Sequence, residues 1–191
     1  MIILGVDPGT RVTGYGLIQV LNHGYAPLDF GTIRPSPKLS QEERYLIIFD
    51  GISHLIEKHQ PGAVAVETQF VYKNVQSAMK LGMARACVLL AAAKKGVPVI
   101  QYAPKEAKLA VVGHGGASKI QVQKMAQLLL KLPVMPEPED AADALALAIC
   151  HAHTLRSPNV RIYPRKTQRR WTRQSLNRSE RFGLSTLHSV Q

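Results

Sequence analysis

Four carboxylates stand where a fold can gather them: Asp7, Glu67, Asp140 and Asp143. Asp7 closes the apolar run 1–6 and opens the segment DPGTRVTGYG; Glu67 closes the apolar run 63–66. Asp140 and Asp143 open DAADALALAICHAH and, three residues apart, share a helix face. Two acids at strand ends and two in the first turn of a helix can meet at one end of a sheet. Gathering them is unfavourable, since two like charges about 4 Å apart repel by about 4 kcal/mol at an effective dielectric near 20. Such a set calls for a counter-charge, and hard divalent cations held through oxygen are the usual one. Each position also has a bland alternative. Asp7 suits a turn, Glu67 a solvated strand end, and Asp140 and Asp143 a first helical turn whose dipole favours acids.

The four acids call for metal ions, and the basic remainder of the chain points to a phosphodiester as the substrate of metal-assisted hydrolysis. That chemistry places two ions about 3.5–4 Å apart, one activating a water and one stabilising the leaving 3′ oxygen. Asp7, on the first strand, is the expected shared ligand, and Mg²⁺ or Mn²⁺ suits the oxygen set. Lys119, just inside the helix after GHGGAS, and Lys108, on the short helix before it, are candidate cations for charge that builds on phosphate. The ordinary alternative for either is a solvated surface lysine. Phe70, in the loop after Glu67, is a candidate wedge between stacked bases, with a core aromatic as the alternative.

The elements that must position these residues follow from the pattern. Residues 2–7 read as a buried strand, 13–20 as a second and 28–34 as a third after the turn at Asn22–Gly24, a three-stranded meander. Ser40 and Glu43 form a capping box opening a helix whose apolar face carries Tyr45, Phe49, Ile52 and Ile56. A short strand over 63–67 follows Pro61-Gly62, then a helix over about 74–95 capped by Gly96. A strand over 97–102 and a short helix over 104–112 lead to the GHGG break. Ser118 and Gln121 form a second capping box, ahead of a stripe of Val122, Met125, Ala126 and Leu129. A proline-rich linker precedes the last helix, 139–153. The order β-β-β-α-β-α-β-α-α-α implies an α/β fold, a mixed five-stranded sheet flanked by helices. The small residues of the 74–95 helix fit packing on the sheet or a dimer seam, and the pattern alone favours the sheet.

Composition bounds the class. At 191 residues the chain reads as one domain with an appendage, and 46% apolar residues are ordinary for a globular core. No unbroken run of apolar residues reaches membrane-spanning length, and the N-terminus lacks the basic start of a signal peptide. Cys87 and Cys150 lie in helical apolar patterns, which suits reduced core thiols and a cytoplasmic protein. His151 and His153, two apart, cannot share a helix face and read as structural. The net charge is +11, yet residues 154–191 carry nine Lys or Arg against Glu180 alone. Residues 156–191 therefore read as a basic, flexible tail beyond a domain of residues 1–155. Arg165, Lys166, Arg169 and Arg170 are its candidate DNA contacts, with Tyr163 and Trp171 available to stack on bases.

Four segments together resemble the RuvC family of bacterial Holliday junction resolvases: GVDPGTRVTGYGLI, AVETQFVYKNVQSAMKLGMARA, YAPKEAKLAVVGHGGASKIQVQKMA and EPEDAADALALAICHAH. The resemblance covers residues 1 to about 155. It implies an RNase H-like fold and metal-dependent, paired cutting of four-way DNA junctions that leaves 5′ phosphate and 3′ hydroxyl ends. It implies Asp7, Glu67, Asp140 and Asp143 as the acidic set, Lys108 and Lys119 as functional lysines and Phe70 as a junction-inserting aromatic. It further implies a homodimer with the 74–95 helix as its seam, and RuvA and RuvB as partners in branch migration. The tail shares little of the resemblance, so its DNA contact is expected from charge alone. Two other readings compete. DPGT also resembles the first phosphate loop of the actin, sugar kinase and Hsp70 superfamily, but no second such motif is present. A module that holds branched DNA without cutting it would have no use for four acids at the phosphate.

Overall fold

Apolar residues buried on both faces of the first two strands build the centre of the sheet. The computed structural model describes residues 1–68 and 75–156, all within one compact unit, Met1–Val160. Strands β1 (Ile2–Asp7), β2 (Thr13–Val20) and β3 (Tyr25–Ile33) form an antiparallel meander. Strands β4 (Ala63–Glu67) and β5 (Val99–Tyr102) add on the other edge in parallel, giving the order β3-β2-β1-β4-β5. This is the expected mixed five-stranded α/β arrangement. β3 begins three residues earlier than its sequence pattern, because pairing of Tyr25 with Val20 extends the hairpin to the Gly24 turn, where φ is +90°.

Helices α1 (Gln41–His59) and α2 (Val75–Lys94) cover one face of the sheet. Helices α3 (Pro104–Val112), α4 (Lys119–Leu130) and α5 (Glu139–Arg156) cover the other. Both predicted capping boxes are formed: Glu43 N donates to Ser40 Oγ at 3.3 Å and Gln121 N to Ser118 Oγ at 3.3 Å, with the reciprocal side-chain bonds in place. The buried stripe of α1 is Ile48, Ile52, Leu55 and Ile56, with Tyr45 and Phe49 only partly covered. That of α4 is Val122, Gln123, Ala126 and Leu130, flanked by Met125 and Leu129. In both helices the buried stripe is rotated slightly from the predicted one, because packing direction decides among neighbouring apolar positions.

On α2, Ala84, Val88, Ala91 and Ala92 pack into the core shared with α1, while Val75, Met79, Met83 and Leu90 lie exposed. By length and composition alone α2 would pass as a membrane span, with 22% of that stretch buried. The expectation of no such segment rested on unbroken apolar runs; Lys80 and Arg85 interrupt this one without disqualifying it. Both cysteines are free, Cys150 in the α5 core and Cys87 beside the α1–α2 core on the opposite face of the sheet. His151 is buried and structural, as expected, 2.7 Å from the Tyr102 hydroxyl, and burial pushes its imidazole down to about 4.

The face that carries α5 has a glycine floor. Gly5 and Gly16 are register partners on β1 and β2. A Cβ on Gly5 would stand 1.9 Å from the Ala144 carbonyl oxygen, and one on Gly16 would stand 2.7 Å from Leu145. Alanine-rich α5 answers with Ala141, Ala144, Ala148 and Ala152, all fully buried. The helix backbone thus rests directly on the sheet. Gly5→Ala is expected to push α5 away and to lower stability by about 1–3 kcal/mol or more, the usual range for overpacking. Urea denaturation checks this, and an unchanged midpoint would mean that α5 does not sit this close.

Candidate active site

Period-two geometry settles which way Asp7 points. Along β1, Ile3 joins the α5 core while Leu4 and Val6 join the α1–α2 core. Asp7 therefore shares a face with Ile3 and Gly5, the α5 face. On β4, Ala65 joins the α5 core while Val64 and Val66 join the other, so Glu67 also faces α5. The parallel register ends at Val6 with Val66, and the next residues along the two strands are Asp7 and Glu67. Two acids from sequence-distant strands thus lie side by side at one end of the sheet.

The glycine floor supplies the other two. Gly14 is the register partner of Asp7, and a Cβ there would stand 1.9 Å from the Asp140 carbonyl oxygen. The first turn of α5 is seated directly beside Asp7, and Asp143 follows one turn on. The loop after Asp7 is also fixed. Thr13 Oγ1 donates to the Gly9 carbonyl at 2.9 Å, and Arg44 of α1 donates to the Thr10 carbonyl. A Cβ on Gly9 would meet the Val12 carbonyl oxygen at 2.0 Å, so this tight turn requires glycine.

The electrostatics record the gathering. Burial, then the charges of Glu67, Asp143 and Asp140, push the Asp7 carboxyl up to about 8, against a smaller downward pull from Lys119. Glu67 is raised by burial and by Asp143, and lowered by Lys119 and Lys108. Asp143 is raised by burial, with Asp140 and Glu139 adding to the rise and Lys119 opposing it. The other three predicted acids and Lys119 thus act on Asp7, while Lys108 acts on Glu67. Lys119 Nζ lies 3.1 Å from Glu139 Oε2 and 3.7 Å from Asp143 Oδ2.

Among the described residues, no three acid, histidine or cysteine side chains stand close enough to hold a metal ion as placed. The donor set nevertheless fits hard divalent cations. It is all oxygen, and it converges on one half-buried aspartate whose carboxyl is pushed up to about 8 by burial and then by the neighbouring acids. Asp7, Glu67, Asp140 and Asp143 are the residues able to close on such an ion. Phe70, Arg165, Lys166, Arg169 and Arg170 lie outside the described residues. Sequence reasoning missed Glu139 and the glycines 5, 14 and 16. The glycines had a readable signal, their period-two spacing within strands, where glycine marks close backbone approach.

Comparison with known proteins gives a consistent picture. The family model for crossover junction endodeoxyribonuclease RuvC matches residues 3–151. The crossover junction endodeoxyribonuclease RuvC of Protochlamydia amoebophila is 62% identical over 152 residues, covering 80% of this chain and 90% of that protein. Its counterpart in Chlamydia trachomatis serovar L2 is 51% identical over 155 residues, covering 80% and 91%. Among solved structures, Thermus thermophilus RuvC in complex with Holliday junction substrate superposes with a TM-score of 0.79 at 37% identity, over 83% of this chain and 96% of that one. The yeast mitochondrial Holliday junction resolvase Ydc2 shares the fold, with a TM-score of 0.55 at 13% identity over 78% of each chain.

The raised Asp7 proton affinity has a definite consequence for stability. Below about pH 4 the carboxyl is protonated in folded and unfolded chains alike. As pH rises from about 4 towards about 8 the unfolded chain ionises while the folded one keeps its proton, so stability falls. Above about pH 8 that loss is complete. In EDTA, Asp7→Asn should therefore melt several degrees above the wild type at pH 8, with the gap closing near pH 4. Mg²⁺ should raise the wild-type melting temperature and leave that of the variant nearly unchanged. Thermal melts by circular dichroism read both effects.

Proposed function

Because the chain belongs to the RuvC family of crossover junction endodeoxyribonucleases, we propose that its acidic rim hydrolyses one phosphodiester in each of two opposed strands of a four-way DNA junction. Membership makes the chain a divalent-metal-dependent nuclease that resolves Holliday junctions, in recombination and repair. The single observation that carries the site assignment is the convergence on Asp7, at the end of β1, of Glu67 from the adjoining strand and the first turn of α5, where burial and then the other acids push its carboxyl up to about 8. A pure DNA-binding surface gains nothing from such a set beside a phosphate.

In this reading Asp7, Glu67, Asp140 and Asp143 hold two Mg²⁺ ions, with Mn²⁺ able to substitute. Bound there, the metal supplies an activated water and an electrophile for the leaving 3′ oxygen, giving 5′ phosphate and 3′ hydroxyl ends. The protein's own part is positioning. Asp7, on a central strand beside a pinned turn, fixes the origin of the ligand set, and α5, resting on the glycine floor, sets the approach of Asp140 and Asp143. Lys119, exposed at the rim, offers its ammonium to charge developing on the phosphate, and Lys108 does so on the Glu67 side. Phe70 follows Glu67 closely enough in sequence to enter the junction beside the cut.

Two symmetric cuts call for two equivalent sites, hence a homodimer. The exposed apolar residues Val75, Met79, Met83 and Leu90 recur along α2 and support that helix as the seam. RuvA and RuvB are the proposed partners in branch migration, and the cytoplasm is the proposed compartment. The tail, carrying Arg165, Lys166, Arg169 and Arg170, is proposed to grip duplex DNA by charge.

A synthetic four-way junction tests the enzyme. Wild type with Mg²⁺ should produce paired symmetric nicks and none in EDTA, whereas Asp7→Asn should bind the junction tightly and cut at least a hundredfold more slowly. Binding by both proteins without cutting in any divalent ion would leave a junction-holding module instead. Truncation tests the tail. Arg156 donates to the carbonyls of Leu21 and Gly24 and lies over the Tyr25 ring, so a chain ending there keeps its last helix in place. Its junction affinity should fall and the salt dependence of binding should flatten, while the cutting rate at saturating protein stays unchanged.

A further inference from the structure

Lys119 and Glu139 are each the first residue of a helix, α4 and α5. The positive end of the α4 dipole disfavours an ammonium there, and that of α5 favours a carboxylate. The two side chains meet at 3.1 Å, and Lys119 reaches Asp143 at 3.7 Å. Glu139 differs from the four acids in its surroundings. Asp140 and Asp143 both act on Asp7, while Glu139 is not among the charges that do. Its side chain is 55% exposed where that of Asp143 is 28% exposed. Glu139 thus stands at the edge of the acidic ring, acting on Asp143 but not on Asp7, while holding a lysine whose charge reaches into the ring. An exposed ion pair of this kind contributes little to stability, so its effect falls on where the ammonium sits.

We propose that Glu139 is a positioning residue that tethers Lys119 at the rim of the site, facing the phosphate rather than folded onto Asp143. The inference rests on the assignment of Lys119 made above. Once Asp143 commits its charge to a divalent cation, Glu139 is the neighbouring carboxylate that still holds the lysine. Without Glu139 the ammonium has Asp143 as its nearest anion and competes with the metal for that carboxylate. Lys119 donates a hydrogen bond to Glu139, and it is the largest of the influences that raise the proton affinity of Lys119.

The test is a double-mutant cycle on the full-length protein, with three readouts: single-turnover cutting of a synthetic junction, junction affinity in EDTA, and Mn²⁺-dependent melting without DNA. Glu139→Gln is expected to slow cutting by about 5- to 10-fold, a modest misplacement effect, and to raise the Mn²⁺ needed for half-maximal thermal shift several-fold. Junction affinity and metal-free melting should not change. Glu139→Asp, one methylene shorter, should recover part of the rate. In the Lys119→Met background, Glu139→Gln should change neither rate nor Mn²⁺ response, since the partner is gone. Equal losses in both backgrounds would mean that Glu139 acts on α5 or on the metal directly, and would overturn the tether. Loss in Lys119→Met without loss in Glu139→Gln would overturn the tether alone. Wild-type cutting by Lys119→Met would overturn the assignment of Lys119 as well.

Discussion

The seating of α5, backbone on backbone, upon β1 and β2 is the constraint from which the site follows. Gly5, Gly14 and Gly16 remove the side chains that would hold a helix at the usual distance from a sheet, and the alanines of α5 fill the narrow gap. Close approach carries the N-terminus of α5 onto the end of β1. Asp140 and Asp143 then lie next to Asp7, which the strand alternation has already turned towards them. A helix one side-chain layer further out would keep the same topology and carry Asp140 and Asp143 away from Asp7.

That seating is held against electrostatic resistance. Three acids around Asp7 and its partial burial all favour the protonated form. Folding energy from the two hydrophobic cores maintains an arrangement that its own charges oppose, a pattern typical of functional sites. Positive charge from Lys119 and Lys108 moderates the opposition, and both lysines lower the proton affinity of Glu67. Neither replaces a divalent cation held by several oxygens at once. The imbalance suits a cation: metal binding at this site would be coupled to deprotonation of Asp7, each favouring the other.

Much of this was legible in the sequence, and the rest was hidden for specific reasons. Apolar runs ending in Asp7 and Glu67 gave strand ends, and two capping boxes gave helix starts, because those signals are local. The facing of Asp7 and Glu67 was implicit in period-two alternation. The depth of the α5 seat was not apparent, since a glycine in a strand can mark a bulge, a turn or a close approach, and only the facing helix decides. Glu139 escaped notice because an acid in a first helical turn has an ordinary explanation; its meeting with Lys119, 20 residues earlier, exists only once α4 and α5 are packed. The exposed apolar residues of α2 were hidden in a helix whose small residues suited either face.

The placement of charge along α5 bears on how acids and a polyanion can share one protein. The helix has its acids at the N-terminal end and Arg156 in its last turn, so both ends suit the dipole. Its 18 residues span about 27 Å at the usual rise. Arg156 is fixed against the β2–β3 turn, at the end of the sheet away from Asp7. Arg156 thus stands well beyond a Debye length from the acids at physiological salt, about 8 Å. At that distance its charge is screened from Asp140 and Asp143, and the acidic end of the helix is left to the nearer lysines Lys119 and Lys108.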